Sequence, residues 1–196
     1  MRPANNQESG FSLVEVVFVL GLLLVILSYS VFQCMSSMSS FKANAAQDLV
    51  VSAFRQARLI SITQRRNVQV WIDQKPSGPG QVQSIYYQVL PAGTEQPQPP
   101  VSLPLPPGTL MVLEPGIPDT PMAFGNSAPV YIGNIAGGPP IMEFQPNGEF
   151  TDPNDGLLNG TIFIGVPDQP STARAVTIMG GIGCVDHYAW TGTEWQ

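Results

Sequence analysis

Few residues in this chain have types that could do chemistry, and most stand in spacings that do not support it. Asp186-His187 is the one His–carboxylate neighbour pair, since the chain has a single histidine. Adjacent side chains of a strand point to opposite faces, so these two would not form a proton relay with each other. No nucleophile motif of the G-x-S-x-G kind accompanies them. Asp152-Pro153-Asn154-Asp155-Gly156 resembles a cation loop in composition. It lacks the alternating oxygen ligands and distant Glu of an EF-hand, so an Asx/Pro/Gly turn is expected. Met179-Gly180-Gly181-Ile182-Gly183 leads into a strand-like run rather than a helix. Without that phosphate-binding context it reads as a turn or bulge. Cys34 and Cys184 lie far apart, and no zinc-ligand spacing exists. Neither an intrachain disulfide, a metal nor another cofactor is expected, and the chain reads as non-enzymatic.

The carboxylate that demands an explanation is Glu15. It is the only charge in the run Phe11–Met35, FSLVEVVFVLGLLLVILSYSVFQCM. Such a run is long enough to cross a bilayer as a helix, which takes roughly 20 apolar residues. An acidic side chain at the centre of a membrane helix costs about 2.5–3.5 kcal/mol on insertion scales. Cleavage after Gly10 would supply a partner, because it creates an α-amine on Phe11 with Glu15 as the fifth residue. A glutamate can then neutralise the amine of a neighbouring subunit and specify register between packed helices. A secretory signal fits less well. Its apolar core should be shorter and followed by a small-residue site, and SYSVFQCMSSMSS offers no A-x-A. A lipoprotein signal would need small residues before Cys34, where Val31-Phe32-Gln33 stand.

With its short hydrophilic leader MRPANNQESG, the stretch Gly10-Phe11-Ser12-Leu13-Val14-Glu15 resembles the type IV prepilin signature. The resemblance implies that a prepilin peptidase cuts between Gly10 and Phe11 on the cytoplasmic side and methylates the new N-terminus at Phe11. It further implies that Glu15 serves subunit assembly. Leader 1–10, transmembrane half-helix 11–35, amphipathic half-helix 36–66 and a β-rich periplasmic domain 67–196 are the expected segments.

The element that must position this junction is a long helix. No Pro or Gly occurs between Leu22 and Gln74, so one helix from Phe11 to about Gln64 is expected, on the order of 80 Å long. Its distal half carries apolar residues at four-residue intervals: Phe41, Ala45, Leu49 and Ala53, beside Ala46, Val50, Phe54 and Ala57, with Ile60 beyond. They predict a core-facing stripe. Lys42, Gln47, Asp48, Arg55, Arg58 and Arg65 fall largely off it. Arg55, Arg58, Arg65 and Arg66 read as a solvated face and helix C-terminus, where arginine offsets the macrodipole.

Beyond Asn67 the chain is acidic, with eleven Asp and Glu against Lys75 and Arg174. That balance gives no footprint for phosphate backbones, and no nucleic acid is expected as a partner. The overall charged fraction is 11%, low against about 25% for soluble domains. Strand-like runs recur at Val68–Ile72, Ser84–Leu90, Val130–Ile132, Ile141–Gln145, Thr161–Val166, Ala175–Met179 and Cys184–Trp190. The first two are expected to form a hairpin through a loop containing Pro79-Gly80. Asn147-Gly148 signals a second tight turn and Thr191-Gly192 a weaker one. Pro91–Pro121 reads as irregular connection with one short strand near Leu110–Glu114. The fold class is thus α+β: a long N-terminal helix, its first half transmembrane, packed on an antiparallel β-sheet or small β-sandwich.

Three further features resemble the GspH/FimT-like minor pseudopilins. They are AFRQARLISITQRRNVQVWID, Phe144-Gln145-Pro146-Asn147-Gly148 and the terminal RAVTIMGGIGCVDHYAW. The implied function is that of a minor pseudopilin of a type II secretion system, assembling into a periplasmic pseudopilus for protein export. The alternative is a minor pilin of a type IV pilus, serving initiation, motility or uptake. A membrane-anchored binding domain or enzyme is a third class. The implied partners are prepilin peptidase, other pseudopilins or pilins, an inner-membrane assembly platform and the membrane itself. The implied location is the bacterial inner membrane, crossed once, with the distal domain periplasmic. In DNA-binding relatives a Gly-Arg pair precedes a basic C-terminal region. Here Gly183 is followed by Cys184 and then Asp186, so DNA binding is not carried over.

Overall fold

The computed structural model describes residues 12–75, 82–93 and 96–196, and the side chains of 30–36 fall outside that description. The Pro79-Gly80 connection also lies outside it. One helix, α1, runs from Leu13 to Gln64. With no proline in the run, nothing removes a ladder hydrogen bond. Contacts divide the chain into two compact units at Met38/Ser39. Among the described residues, no helix is long and apolar enough to cross a membrane. In the first unit the described side chains run from Ser12 to Tyr29 and resume at Ser37.

Among the described residues of the second unit, ten strands form two antiparallel sheets. They are β1 (Val68–Asp73), β2 (Ser84–Val89), β3 (Val101–Pro104), β4 (Val130–Ile132), β5 (Ile135–Ala136), β6 (Met142–Phe144), β7 (Phe150–Thr151), β8 (Gly160–Ile164), β9 (Arg174–Met179) and β10 (Cys184–Ala189). One sheet has the order β3-β2-β1-β6-β7, the other β10-β9-β8-β4-β5. The expected β1–β2 hairpin forms, in register from Val68↔Val89 to Asp73↔Ser84. Asn147-Gly148 closes the β6–β7 turn, where Gly148 N–H donates to Gln145 O at 2.8 Å. Residues of α1, β1, β2, β6 and β7, and of β4, β8, β9 and β10, bury into one shared core. Its centre is aromatic: Phe54 of α1 meets Phe144 and Phe150 edge-on, at 6.3 and 5.9 Å.

The stripe on α1 differs from expectation at its start. Ala43, Ala46, Gln47, Val50, Ala53, Phe54, Ala57 and Ser61 are buried, whereas Phe41 is 71% exposed and Ala45 is exposed too. At about 100° per residue, a strict four-residue repeat drifts by about 40° each step. Phe41 therefore stands roughly half a turn round from Val50. The buried face follows alternating steps of three and four, and these admit Gln47.

The strand in the proline-rich stretch also falls elsewhere. β3 is Val101–Pro104, while Leu110 makes only an isolated bridge to Gly165. Leu105 N–H donates to Gln83 O at 2.9 Å, so Val101 and Leu103 face β2 and Pro100, Ser102 and Pro104 alternate outward. Proline lacks the donor that an inner position needs, but an edge strand tolerates it there. The two-residue β5 follows a Gly133-Asn134 turn, with φ of 62° and 61°, and was not expected because so short a strand carries no alternation.

Candidate functional site

Gly10 and Phe11 lie outside the described residues. Glu15 lies in the first turn of α1, where a carboxylate is favoured by the helix dipole. Every described side chain from Ser12 to Tyr29 is exposed. The apolar surface so presented runs around the helix, with Leu13, Val14, Phe18, Leu24 and Val25 among its largest exposed groups. Val17, Phe18, Leu22 and Val25 surround a shallow notch at Gly21, and a Cβ added at Gly21 would meet nothing within 4 Å. Small residues of this kind let another helix approach closely.

The distal half of α1 is held to the sheets by apolar packing and by polar side chains. Buried Gln47 donates from Nε2 to Ala175 O at 3.1 Å and to Tyr188 O at 2.8 Å. Arg55 Nη2 donates to Val185 O at 2.9 Å, and half-buried Arg58 donates from Nε to Gly148 O at 3.2 Å. Buried Arg174 returns the contact from β9, donating from Nε to Asn44 Oδ1 at 2.7 Å and from Nη1 to Ala173 O at 2.8 Å. Desolvation by burial pushes the Arg174 guanidinium below its usual pKa.

The arginine cluster is therefore not simply a solvated face, because Arg55 and Arg58 bond the distal backbone. The last turn of α1 holds no basic residue, and Arg65 and Arg66 follow directly after Gln64. Arg65 takes φ +54°, and Arg66 N–H reaches back to Ser61 O at 3.1 Å. This left-handed turn satisfies an orphan carbonyl at the helix end.

The other sequence motifs resolve into turns and edges. Asp152 Oδ1 accepts from the N–H groups of Asn154 and Gly156, each at 2.8 Å, as an Asx turn does. Among the described residues, no cluster of His, Cys, Asp and Glu could hold a metal ion. Met179–Gly183 turns β9 into β10, with Gly183 N–H donating to Gly180 O at 3.3 Å. Gly183 has φ +58°, and a Cβ there would lie 2.0 Å from Gly148 O and 2.7 Å from Arg58 Nε. The turn thus needs glycine so that two loops and α1 can meet.

Asp186 and His187 occupy successive exposed positions of β10. The described cysteine, Cys184, is a half-buried free thiol with Sγ 3.9 Å from both Asp186 oxygens. Trp190 and Trp195 bridge a C-terminal turn with rings 5.4 Å apart, and Trp195 Nε1 donates to Pro118 O at 3.0 Å. Gln47, Asn44 and Arg174 are the working contacts that the strict four-residue pattern overlooked. The step of four from Ala43 to Gln47 was the available signal for the first of them.

No family model, curated protein or solved structure matches this chain.

Proposed function

We propose that this chain is a non-enzymatic, pilin-like subunit, a minor pseudopilin of a type II secretion system, built into a periplasmic filament through α1. The observation that carries this reading is one carboxylate, Glu15, in the first turn of a helix whose following surface is apolar on all sides. Such a surface needs a cover, either lipid or other helices. The sequence continues apolar beyond Tyr29 toward Met35, and from Phe11 it reaches the length that crosses a bilayer. Release of the leader after Gly10 places an amine at Phe11 for the Glu15 of a neighbouring subunit. The two-sheet unit would then provide the lateral periplasmic contacts.

Mass spectrometry of the mature chain tests the class. A methylated N-terminus at Phe11 is expected, and an intact leader refutes it. Gene deletion tests the machine. Loss of exported proteins with normal pili is expected, whereas normal export with lost pili or twitching assigns the chain to a type IV pilus.

A further inference from the structure

The two sheets differ in what covers the side turned away from the core. On β8 and β9 of the second sheet, Thr161, Phe163, Ala175 and Thr177 alternate with the core residues Ile162, Ile164, Val176 and Ile178, yet they too are buried. Trp195 packs on Phe163 with rings 6.0 Å apart. On the first sheet, Gln69, Trp71 and Asp73 of β1 stand directly opposite Gln88, Tyr86 and Ser84 of β2. They alternate with the core residues Val68, Val70, Ile85 and Tyr87, so they share the outer face. All of them except Ser84 are partly exposed.

At the centre of that face the rings of Trp71 and Tyr86 lie parallel, 5.4 Å apart with planes 5° from each other. Cross-strand stacking accounts for one face of each ring. On the far side of Tyr86 from Trp71 the neighbouring residue is Ser102 of the edge strand, exposed and too short to cover a phenol. Among the described residues, neither Trp71 Nε1 nor Tyr86 Oη makes a hydrogen bond. One pair along the strands, two amides are held in place. Gln69 Nε2 donates to Glu143 Oε1 at 2.9 Å, and Gln88 Nε2 donates to Gln98 O. Their Oε1 atoms are left as fixed acceptors. One pair the other way, Asp73 Oδ1 accepts from Lys75 N–H at 3.1 Å, which leaves Oδ2. The three pairs span four residues of strand, about 13 Å.

Apolar ring faces between fixed acceptors and free donors complement a ligand that is apolar on its faces and hydroxylated on its rim. A pyranose with equatorial hydroxyls has that form: its axial C–H groups lie against an aromatic ring, and its hydroxyls both donate and accept. A few preset polar groups beside an apolar surface are what fix such a ligand's orientation. Of the six outward residues only Asp73 is charged, and no lysine or arginine stands among them. A phosphate-bearing polymer finds no cation there, whereas an uncharged one loses nothing. The site is an open sheet face rather than an enclosed cavity, which matches an extended glycan strand better than a coiled one. We propose that the outer face of β1 and β2 binds an uncharged, β-linked glycan strand, with one pyranose stacked on the Trp71–Tyr86 pair and its hydroxyls shared among Gln69, Gln88 and Asp73. This site goes beyond the filament role and does not depend on it.

Calorimetric titration of the full chain, solubilised in a detergent without a sugar headgroup, tests the site with cellohexaose and maltohexaose. Cellohexaose is expected to bind about tenfold more tightly than the coiled maltohexaose. Trp71→Ala and Tyr86→Ala should each weaken cellohexaose binding about tenfold, and Gln88→Ala about threefold, while Trp195→Phe leaves it unchanged. Tryptophan emission supplies a readout that does not require removing a ring. Cellohexaose should alter the emission of the wild type and leave that of Trp71→Phe, which keeps an aromatic ring in the sheet, nearly constant. No heat from cellohexaose, full binding by the alanine variants, or an equal emission change in Trp71→Phe overturns the proposal. Maltohexaose binding as tightly as cellohexaose overturns the assignment to an extended strand.

Discussion

Gly183→Ala perturbs the point where α1, the β6–β7 turn and the β9–β10 turn converge. Two costs can be worked from the geometry. At φ +58°, an alanine forced into the left-handed region loses about 1–2 kcal/mol. Its Cβ would also sit 2.0 Å from the carbonyl oxygen of Gly148. The two turns must then separate and release the Arg58–Gly148 hydrogen bond. A hydrogen bond from a charged donor contributes about 1.5–3 kcal/mol. The total is therefore about 2.5–5 kcal/mol. Gly181→Ala is the control, because the nearest atom to its Cβ is Leu157 Cδ1 at 4.0 Å and its φ is not positive. That substitution should leave stability within about 0.5 kcal/mol. Urea unfolding of the detergent-solubilised chain, followed by tryptophan fluorescence, measures both. An Arg58→Ala background should shrink the Gly183→Ala penalty, since part of the contact is already gone. A Gly183→Ala loss below about 1 kcal/mol, or one equal to the Gly181→Ala effect, refutes the convergence argument.

The two phenylalanines of the expected stripe should part company in the same assay: Phe54→Ala costs about 3–5 kcal/mol, while Phe41→Ala in unassembled protein stays within about 0.5 kcal/mol. Equal losses would contradict the placement of Phe41 on the outer face. Arg174→Met removes three hydrogen bonds to Asn44, Ser171 and Ala173 and should lower stability by about 1–3 kcal/mol. Because burial lowers this guanidinium's pKa, the folded state disfavours its charged form. That cost is fully present below the lowered value and is relieved only as pH rises from there toward the ordinary guanidinium value. The stability difference between wild type and Arg174→Met should therefore stay flat between about pH 6 and 9, and a slope there in unfolding titrations would count against the assignment.

What could be read in advance depended on how local the signal was. The β1–β2 hairpin, the Asn147-Gly148 turn and the end of α1 near Gln64 follow from alternation, turn chemistry and an uninterrupted helical run. These are properties of neighbouring residues. The orientation of α1 about its axis is not. Phe41 and Gln47 exchange their expected roles because the core selects a face by alternating three- and four-residue steps, and a polar Gln is admitted where Ala175 O and Tyr188 O await a donor. β3 was concealed by the prolines around it, since the outward alternation that tolerates Pro100 and Pro104 is set by β2 rather than by β3 itself. For the candidate site, Glu15 stands out by its isolation in apolar sequence, and the structure puts it in the first turn of α1. The anchoring of Arg55 and Arg58 was not legible, because their acceptors are carbonyls at Val185 and Gly148, far along the chain.

The edge strand β3 has a consequence for crowding. At high local concentration a bare strand edge is a template for cross-strand aggregation. Pro100 and Pro104 remove two of the three outward amide donors at that edge, leaving Ser102 N–H. A stray strand arriving there finds acceptors with few donors and no continuous ladder to join. At the far edge of the other sheet, Arg55 occupies Val185 O, and Gln196 exchanges both backbone bonds with Ala189. Copies of the two-sheet unit can then crowd together without these edges fusing into a continuous sheet.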